Sequence, residues 1–222
     1  MDKKQMRDLI AKRVAQELNT GDLVNLGIGM PTSVAGFIDP EKHVVFQAEN
    51  GMVGISGNPI EGEEDWDLTD AGGSPKTAIE GAAYFDSSLS FTLIRGGHVD
   101  ATVLGAMEVD RDGNLANYMI PKKMVAGMGG AMDLVSGAKK VIIMMEHCNK
   151  HGDSKILDKC TLPLTAKGQV NLIITDLAVI EVVEDGLLLK EVAPHSSLDE
   201  VIAKTATKLI IPEQIATFGA EK

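Results

Sequence analysis

Cysteine is scarce. Cys148 and Cys160 are the only two in 222 residues, too few for a disulfide framework, and they read as two reduced thiols. Positive charge is in deficit too, with 21 Lys and Arg against 32 Asp and Glu and a formal net charge of −11. That balance argues against non-specific binding to nucleic acid or to an anionic membrane, since both need a net basic face. An anionic small molecule stays admissible, because it needs only a local group of donors. Long apolar runs are also missing. None approaches the length that spans a bilayer, and MDKKQMRDLIAKRVAQELN at the N-terminus lacks the uninterrupted apolar stretch of a signal peptide. No repeat or linker divides the chain. The expectation is a single domain over residues 1–222, cytoplasmic, with 44% hydrophobic residues to fill a core.

What is present alternates between helix and strand. Met6, Leu9, Ile10, Val14 and Leu18 recur at helical spacing before Gly21. Asp22–Leu26 reads as a strand, and Pro31 suits the first turn of a second helix reaching about Ile38. His43–Ala48 is the next strand; it delivers Glu49 into the Gly-rich run Asn50-Gly51-Met52-Val53-Gly54. Residues 56–75 read as a long surface loop and candidate lid. Its acids Glu61, Glu63, Glu64, Asp65 and Asp67 fit no calcium-loop spacing and read as a solvated face, so no metal is expected. Asp86–Ile94 is predicted helical, Ala101–Val109 a buried strand, and Leu115–Ile120 its return. Gly127-Met128-Gly129-Gly130 then precedes a helix over Ala131–Ser136 and strands over Lys140–Glu146 and Ile173–Thr175. A β-hairpin turns at Asp185-Gly186, and Ser197-Leu198-Asp199-Glu200 is a capping box for the last helix. The pattern predicts an α/β fold: a largely parallel open sheet flanked by helices, with a C-terminal β-hairpin and helix.

Two chemistries compete for Glu49. Gly27-x-Gly29 after a strand, with an acid ending the next strand, imitates an NAD(P)-binding dehydrogenase, and Tyr118-x-x-x-Lys122 imitates a Tyr/Lys pair. Thr32 stands where the third glycine belongs, and Pro121 would break the helix that pair requires, at about 3 kcal/mol or more. The other reading is covalent. A free glutamate carboxylate is ionised at neutral pH and needs no base to act as a nucleophile. Being weak, it suits an activated acyl group such as a thioester. Glycines at 127–130 can turn backbone N–H groups toward an oxyanion, or can simply form a tight turn.

The segments VNLGIGMPTSVA, QAENGMVG, SFTLIRGGHVD, GMGGAMDLVSGAKKVI and KCTLPLT resemble those of the β subunit of the 3-oxoacid (acetoacetate/butyrate) CoA-transferase family. The match runs from about Met6 to Ile211, and the family's Gln-(Ser/Ala)-Glu-Asn-Gly motif falls on Gln47–Gly51. The resemblance implies the CoA-transferase fold, with Glu49 as catalytic nucleophile and coenzyme A as co-substrate rather than a tightly bound cofactor. It places oxyanion and CoA contacts at Gly127, Met128, Gly129 and Gly130, and at Asn25 with Gly27 and Gly29. Asn50 and Gly51 would shape the turn presenting Glu49. Arg95, His98 and His147 fall in shared motifs but read equally well as structural. Ala48, Tyr118 and the lysine pair Lys122-Lys123 depart from the usual pattern; an extra lysine there could meet CoA phosphates or solvent. The resemblance also implies a missing partner, an α subunit, in an α2β2 or larger assembly. A CoA-ester hydrolase on the same fold is the main alternative. Acetoacetate, acetate, butyrate, succinate and 3-oxoadipate all remain open as acids.

Overall fold

The structure, a computed structural model, describes residues 1–218. The amphipathic N-terminal segment forms α1 (Lys3–Ala15), closed by a capping box in which Asp2 accepts from the Gln5 N–H and the Gln5 side chain accepts from the Asp2 N–H. β1 (Leu23–Leu26) follows, and then Met30–Phe37. This second segment was expected to be α-helical and is instead a 3-10 helix. It is eight residues long, contains Gly36, and has no side-chain cap at its start, so the tighter turn suffices. β2 (Val45–Ala48) ends just before Glu49 and delivers it, as expected.

The largest departure follows at once. The Gly-rich run contains β3 (Met52–Ile55), antiparallel to β2, and beyond the long loop β4 (Ala78–Tyr84) pairs antiparallel with β3. Glycine density hid the first strand. The second is an exposed edge, so no apolar alternation marks it. Asp86 then caps α2 (Ser87–Arg95) by accepting from the Leu89 N–H. The strand expected over 101–109 divides into β5 (Ala101–Leu104) and β6 (Glu108–Asp110), interrupted at Gly105. Its return divides into β7 (Leu115–Ala116) and β8 (Met119–Ile120), and β8 makes a hairpin with β9 (Met124–Val125). Tyr118 and Lys122 therefore share no helical face.

α3 (Ala131–Gly137), β10 (Lys140–Met144), β11 (Ile156–Leu157) and β12 (Leu172–Ile174) come next. The predicted hairpin is β13 (Ala178–Val183) and β14 (Gly186–Val192). The chain continues through α4 (Leu198–Lys204), β15 (Leu209–Ile210) and β16 (Ala216–Thr217). Only half of the expected capping box forms at α4. Ser197 Oγ accepts from the Glu200 N–H, but the Glu200 carboxylate accepts from Ser196 Oγ and Lys204 Nζ instead of returning to Ser197.

The main sheet runs β15-β14-β13-β12-β10-β5-β1-β2-β3-β4, with β16 beside β14. Its centre, from β12 to β2, is parallel; antiparallel hairpins extend both sides. Period-two alternation sorts the core. In β10, Ile142 and Met144 join Ile10 and Val14 of α1, while Val141 and Ile143 point to the opposite layer with Val135 of α3. Arg13 pins α1 to the sheet, donating from Nε and Nη2 to the Glu191 carboxylate at 2.8 and 2.6 Å.

His147, three residues beyond β10, is structural. Its ring nitrogens lie 2.9 Å from Thr175 Oγ1 and 3.0 Å from Thr205 Oγ1, and it is fully buried. Burial, the largest cause, holds its pKa down to about 4, below the ordinary 6.5. The folded state thus keeps the ring neutral while the unfolded chain takes up a proton, so stability is lost as pH falls from about 6.5 toward 4. The prediction is that the native protein loses about 2 kcal/mol more than His147→Gln when urea unfolding is compared across that window. Equal losses would contradict it.

Candidate active site

β1, β2 and β5 are parallel, so their carboxyl ends share one edge of the sheet. Open α/β sheets place their sites at such edges. Glu49 stands there, half-buried, one residue past β2. The chain must then reverse into β3, and Gly51 makes this possible. Its φ of 133° is outside the range of ordinary side chains, and a Cβ there would overlap the Phe85 carbonyl oxygen. The Gly51 carbonyl accepts from the Phe85 N–H at 2.9 Å, fastening the reversal to the start of α2.

From 81 positions further along the chain, the Gly130 N–H donates to Glu49 Oε1 at 3.2 Å. Gly130 lies immediately before α3, whose Leu134 packs with Ile94 of α2 and with Val99 just beyond it. Arg95 strengthens that junction by donating to Asp133 Oδ1 at 2.7 Å and lying over the Phe91 ring. A Cβ on Gly130 would stand 3.0 Å from Glu49 Cδ and 3.2 Å from Phe91. Glycine is what lets the carboxylate come so close to this backbone.

Beneath Glu49 lies a buried polar row. Asn25 and Gln47 are register partners on β1 and β2, and Asn25 Nδ2 donates to Gln47 O at 3.2 Å and to Gln47 Oε1 at 2.8 Å. Gln47 Nε2 passes the chain on to Ser90 Oγ of α2 at 2.9 Å. The bonds compensate the burial of these amides, which would otherwise cost about 1–3 kcal/mol for each unpaired group. They also fix the strand two residues before Glu49. Asn25 Oδ1 remains without a partner among the described residues.

A cleft of about 1040 Å³ opens over this arrangement. Glu49, the 127–130 loop, Asn25 and Gly27 all line it. Gly29 faces a neighbouring groove instead. Asn50 points away and donates to the Thr69 carbonyl at 2.8 Å, tying the Glu49 turn to the long loop. That loop supplies Asn58, Asp70 and Lys76 to the cleft wall. Lys76, the only cationic side chain among the lining residues, donates to Asn58 Oδ1 at 2.7 Å and lies 3.4 Å from Asp70 Oδ2.

Arg95, His98 and His147 are not in the lining. Lys122 is exposed in the turn of the β8–β9 hairpin. No group of three or more metal-ligating side chains occurs among the described residues. Sequence reasoning missed Lys76, which has no motif, and Asn117, which accepts from Thr165 Oγ1 at 2.6 Å in the cleft wall. Gln47 stood in a recognised motif, but the in-plane register that pairs it with Asn25 is a tertiary fact.

Comparison with known proteins places this geometry in context. The coenzyme A transferase family model matches residues 7–204. The beta subunit of the acetate CoA-transferase of Haemophilus influenzae is 54% identical over 220 residues, covering 97% of this chain and 98% of that protein. The corresponding subunit of the succinyl-CoA:3-ketoacid coenzyme A transferase of Helicobacter pylori is 54% identical over 200 residues, covering 90% and 96%. Among solved structures, an Escherichia coli O157:H7 acyl-CoA transferase apoenzyme superposes with a TM-score of 0.79 at 22% identity. The match takes in 96% of this chain but only 43% of that one. Glutaconate coenzyme A-transferase of Acidaminococcus fermentans gives 0.72 at 18% identity, covering 97% and 89%. At such identities the structures show the shared fold alone.

The two glycines of the site should behave differently when given a side chain. Gly51→Ala is expected to lower the unfolding free energy by more than about 2 kcal/mol, through strain and overlap. Gly130→Ala keeps an ordinary φ of −82° and meets mainly a side-chain terminus, so it should cost less than about 1 kcal/mol. Urea melts that fail to separate the two variants would contradict this.

Proposed function

The chain belongs to the coenzyme A transferase family, and on that premise we propose that it is the β subunit of an enzyme moving CoA between a short-chain acyl-CoA and a carboxylic acid of the acetoacetate, butyrate or acetate class. Glu49 is the covalent nucleophile in this reading. The observation that carries it is the Gly130 N–H bonded to Glu49 Oε1 at the carboxyl edge of the sheet.

The chemistry runs in two half-reactions. A Glu49 carboxylate oxygen attacks the thioester carbonyl of acyl-CoA, the C–S bond breaks, and an acyl-glutamyl anhydride and CoA thiolate result. The thiolate attacks the glutamyl carbonyl and releases the first acid, which carries the bridging oxygen, leaving a Glu49–CoA thioester. An incoming carboxylate reverses both steps and departs as its own CoA ester. One thioester is exchanged for another, so no energy source is consumed. The Gly130 N–H, already bonded to Glu49 in the resting state, is suited to hold the oxyanion that forms at the glutamyl carbonyl. The cleft volume falls at the upper end of the range for small-molecule sites, about 300–1,000 Å³, which suits an acyl group together with a pantetheine arm.

The partner is an α subunit. Relatives of the same length are named as subunits, and the exposed edge strand β4 with Ile79 and Tyr84, near a loop bearing exposed Trp66 and Ile60 in sequence, offers apolar surface for association.

The test is chemical trapping. The enzyme assembled from this chain and its α subunit should, after mixing with acyl-CoA and borohydride, yield a Glu49 peptide reduced to the alcohol; an unmodified peptide from active enzyme would refute the nucleophile. Gly130→Ala keeps the backbone N–H but sets a Cβ 3.0 Å from Glu49 Cδ, pushing the carboxylate off it; the variant should assemble normally and lose up to about 10²–10³ in transfer rate. CoA release indifferent to added acetate or acetoacetate would instead indicate a hydrolase.

A further inference from the structure

Among the described residues, the cleft wall carries two carboxylates, Glu49 and Asp70, against one ammonium, Lys76. That ammonium is not free. Lys76 Nζ donates to Asn58 Oδ1 at 2.7 Å and lies 3.4 Å from Asp70 Oδ2. The side chains of the ion pair are largely shielded, 18% exposed at Lys76 and 21% at Asp70. Solvent therefore screens the pair less than it would on an open surface.

The loop holds this pair firmly. Asp70 Oδ1 accepts from the Gly72 and Ser74 N–H groups at 2.9 and 3.0 Å, which leaves Oδ2 for Lys76. Thr69 and Pro75 form an antiparallel bridge, and the Lys76 N–H donates to the Leu68 carbonyl at 2.9 Å. Just beyond Lys76, the Thr77 carbonyl accepts from the Ser56 N–H at 2.8 Å, and the Thr77 N–H donates to the Gly57 carbonyl at 2.9 Å. Asn50, next to Glu49, donates to the carbonyl of Thr69, next to Asp70. A single tie thus fixes the ion pair relative to the proposed nucleophile.

We propose that the Lys76–Asp70 pair sets the charge class of the acid: the cleft takes a monocarboxylate with an uncharged tail and rejects a second carboxylate. The inference rests on the reading of Glu49 as the group that carries CoA. An incoming acid then meets Glu49 as a neutral thioester, its negative charge lost when the bond to sulfur formed. The two charges left in the wall, Asp70 and Lys76, cancel. One carboxylate, the reacting one, enters against no net repulsion. A second would lose its hydration beside apolar side chains such as Leu26, Phe46 and Leu104, and the only ammonium in reach already faces Asp70. An uncharged tail incurs neither cost.

The experiment compares two acceptors on the enzyme assembled with its α subunit, with acetyl-CoA as donor. Succinate and its monoamide, succinamate, match in size and differ by one charge. The native enzyme should favour succinamate by about 10- to 100-fold in kcat/KM. Asp70→Asn keeps an oxygen for the Gly72 and Ser74 N–H groups but releases Lys76, so the preference should fall by about tenfold or more. Lys76→Met should widen it by about the same factor. A merely structural role for the pair would lower transfer to both acids together and leave the ratio unchanged in the variants, which overturns the inference. A native ratio within about twofold overturns it as well, and is the result expected if the α subunit supplies a cation of its own. Should Asp70→Asn fail to assemble, the native ratio and Lys76→Met decide the matter. If no acid accelerates CoA release from acetyl-CoA, the functional reading itself is overturned, so the two failures are distinguishable.

Discussion

One hydrogen bond organises this molecule: the Gly130 N–H on the carboxylate of Glu49 at 3.2 Å. It joins residues 81 positions apart and requires two conditions at once. The parallel strands must end level, so that β2 delivers Glu49 at the edge where α3 begins. Residue 130 must also lack a Cβ, because an added carbon would stand 3.0 Å from Glu49 Cδ. The packing of α2 on α3 and the Arg95–Asp133 ion pair serve the first condition by fixing where the helix starts.

A carboxylate in the proposed nucleophile's role must neither drift nor sink into the core. The polar row Asn25–Gln47–Ser90 holds the strand below it, and the reversal at Gly51 holds the chain beyond it. Asn50 then couples this rigid turn to a long loop that carries the only cation in the cleft wall among the described residues. Rigid support on the sheet side and a loop on the solvent side is the division expected of a site that must orient one group while admitting a large co-substrate.

Much of this was legible in the sequence, for identifiable reasons. Helical spacing from Met6 to Val14, the apolar run Lys140–Met144 and the Asp185-Gly186 turn are local signals, and each became the expected element. Glu49 at a strand end and the glycines at 127–130 were each readable singly. Their contact was not, because it depends on sheet order. β3 and β4 were missed since glycines and small residues on an edge strand leave no alternation to detect. Lys76 escaped because a lone lysine in an acidic, Gly-rich loop looks like any solvated charge until the loop is seen folded over the cleft.

The central claim is that Glu49 makes and breaks bonds rather than merely orienting substrate, and isotope transfer tests it most directly. In the anhydride mechanism an oxygen of the incoming acid remains on Glu49 when that acid departs as its CoA ester. The assembled enzyme, turned over with an acid labelled with heavy oxygen in its carboxylate, should therefore carry the label in the Glu49 side chain, read by mass spectrometry of the isolated peptide. CoA transfer at the full rate with no label in Glu49 would contradict the account.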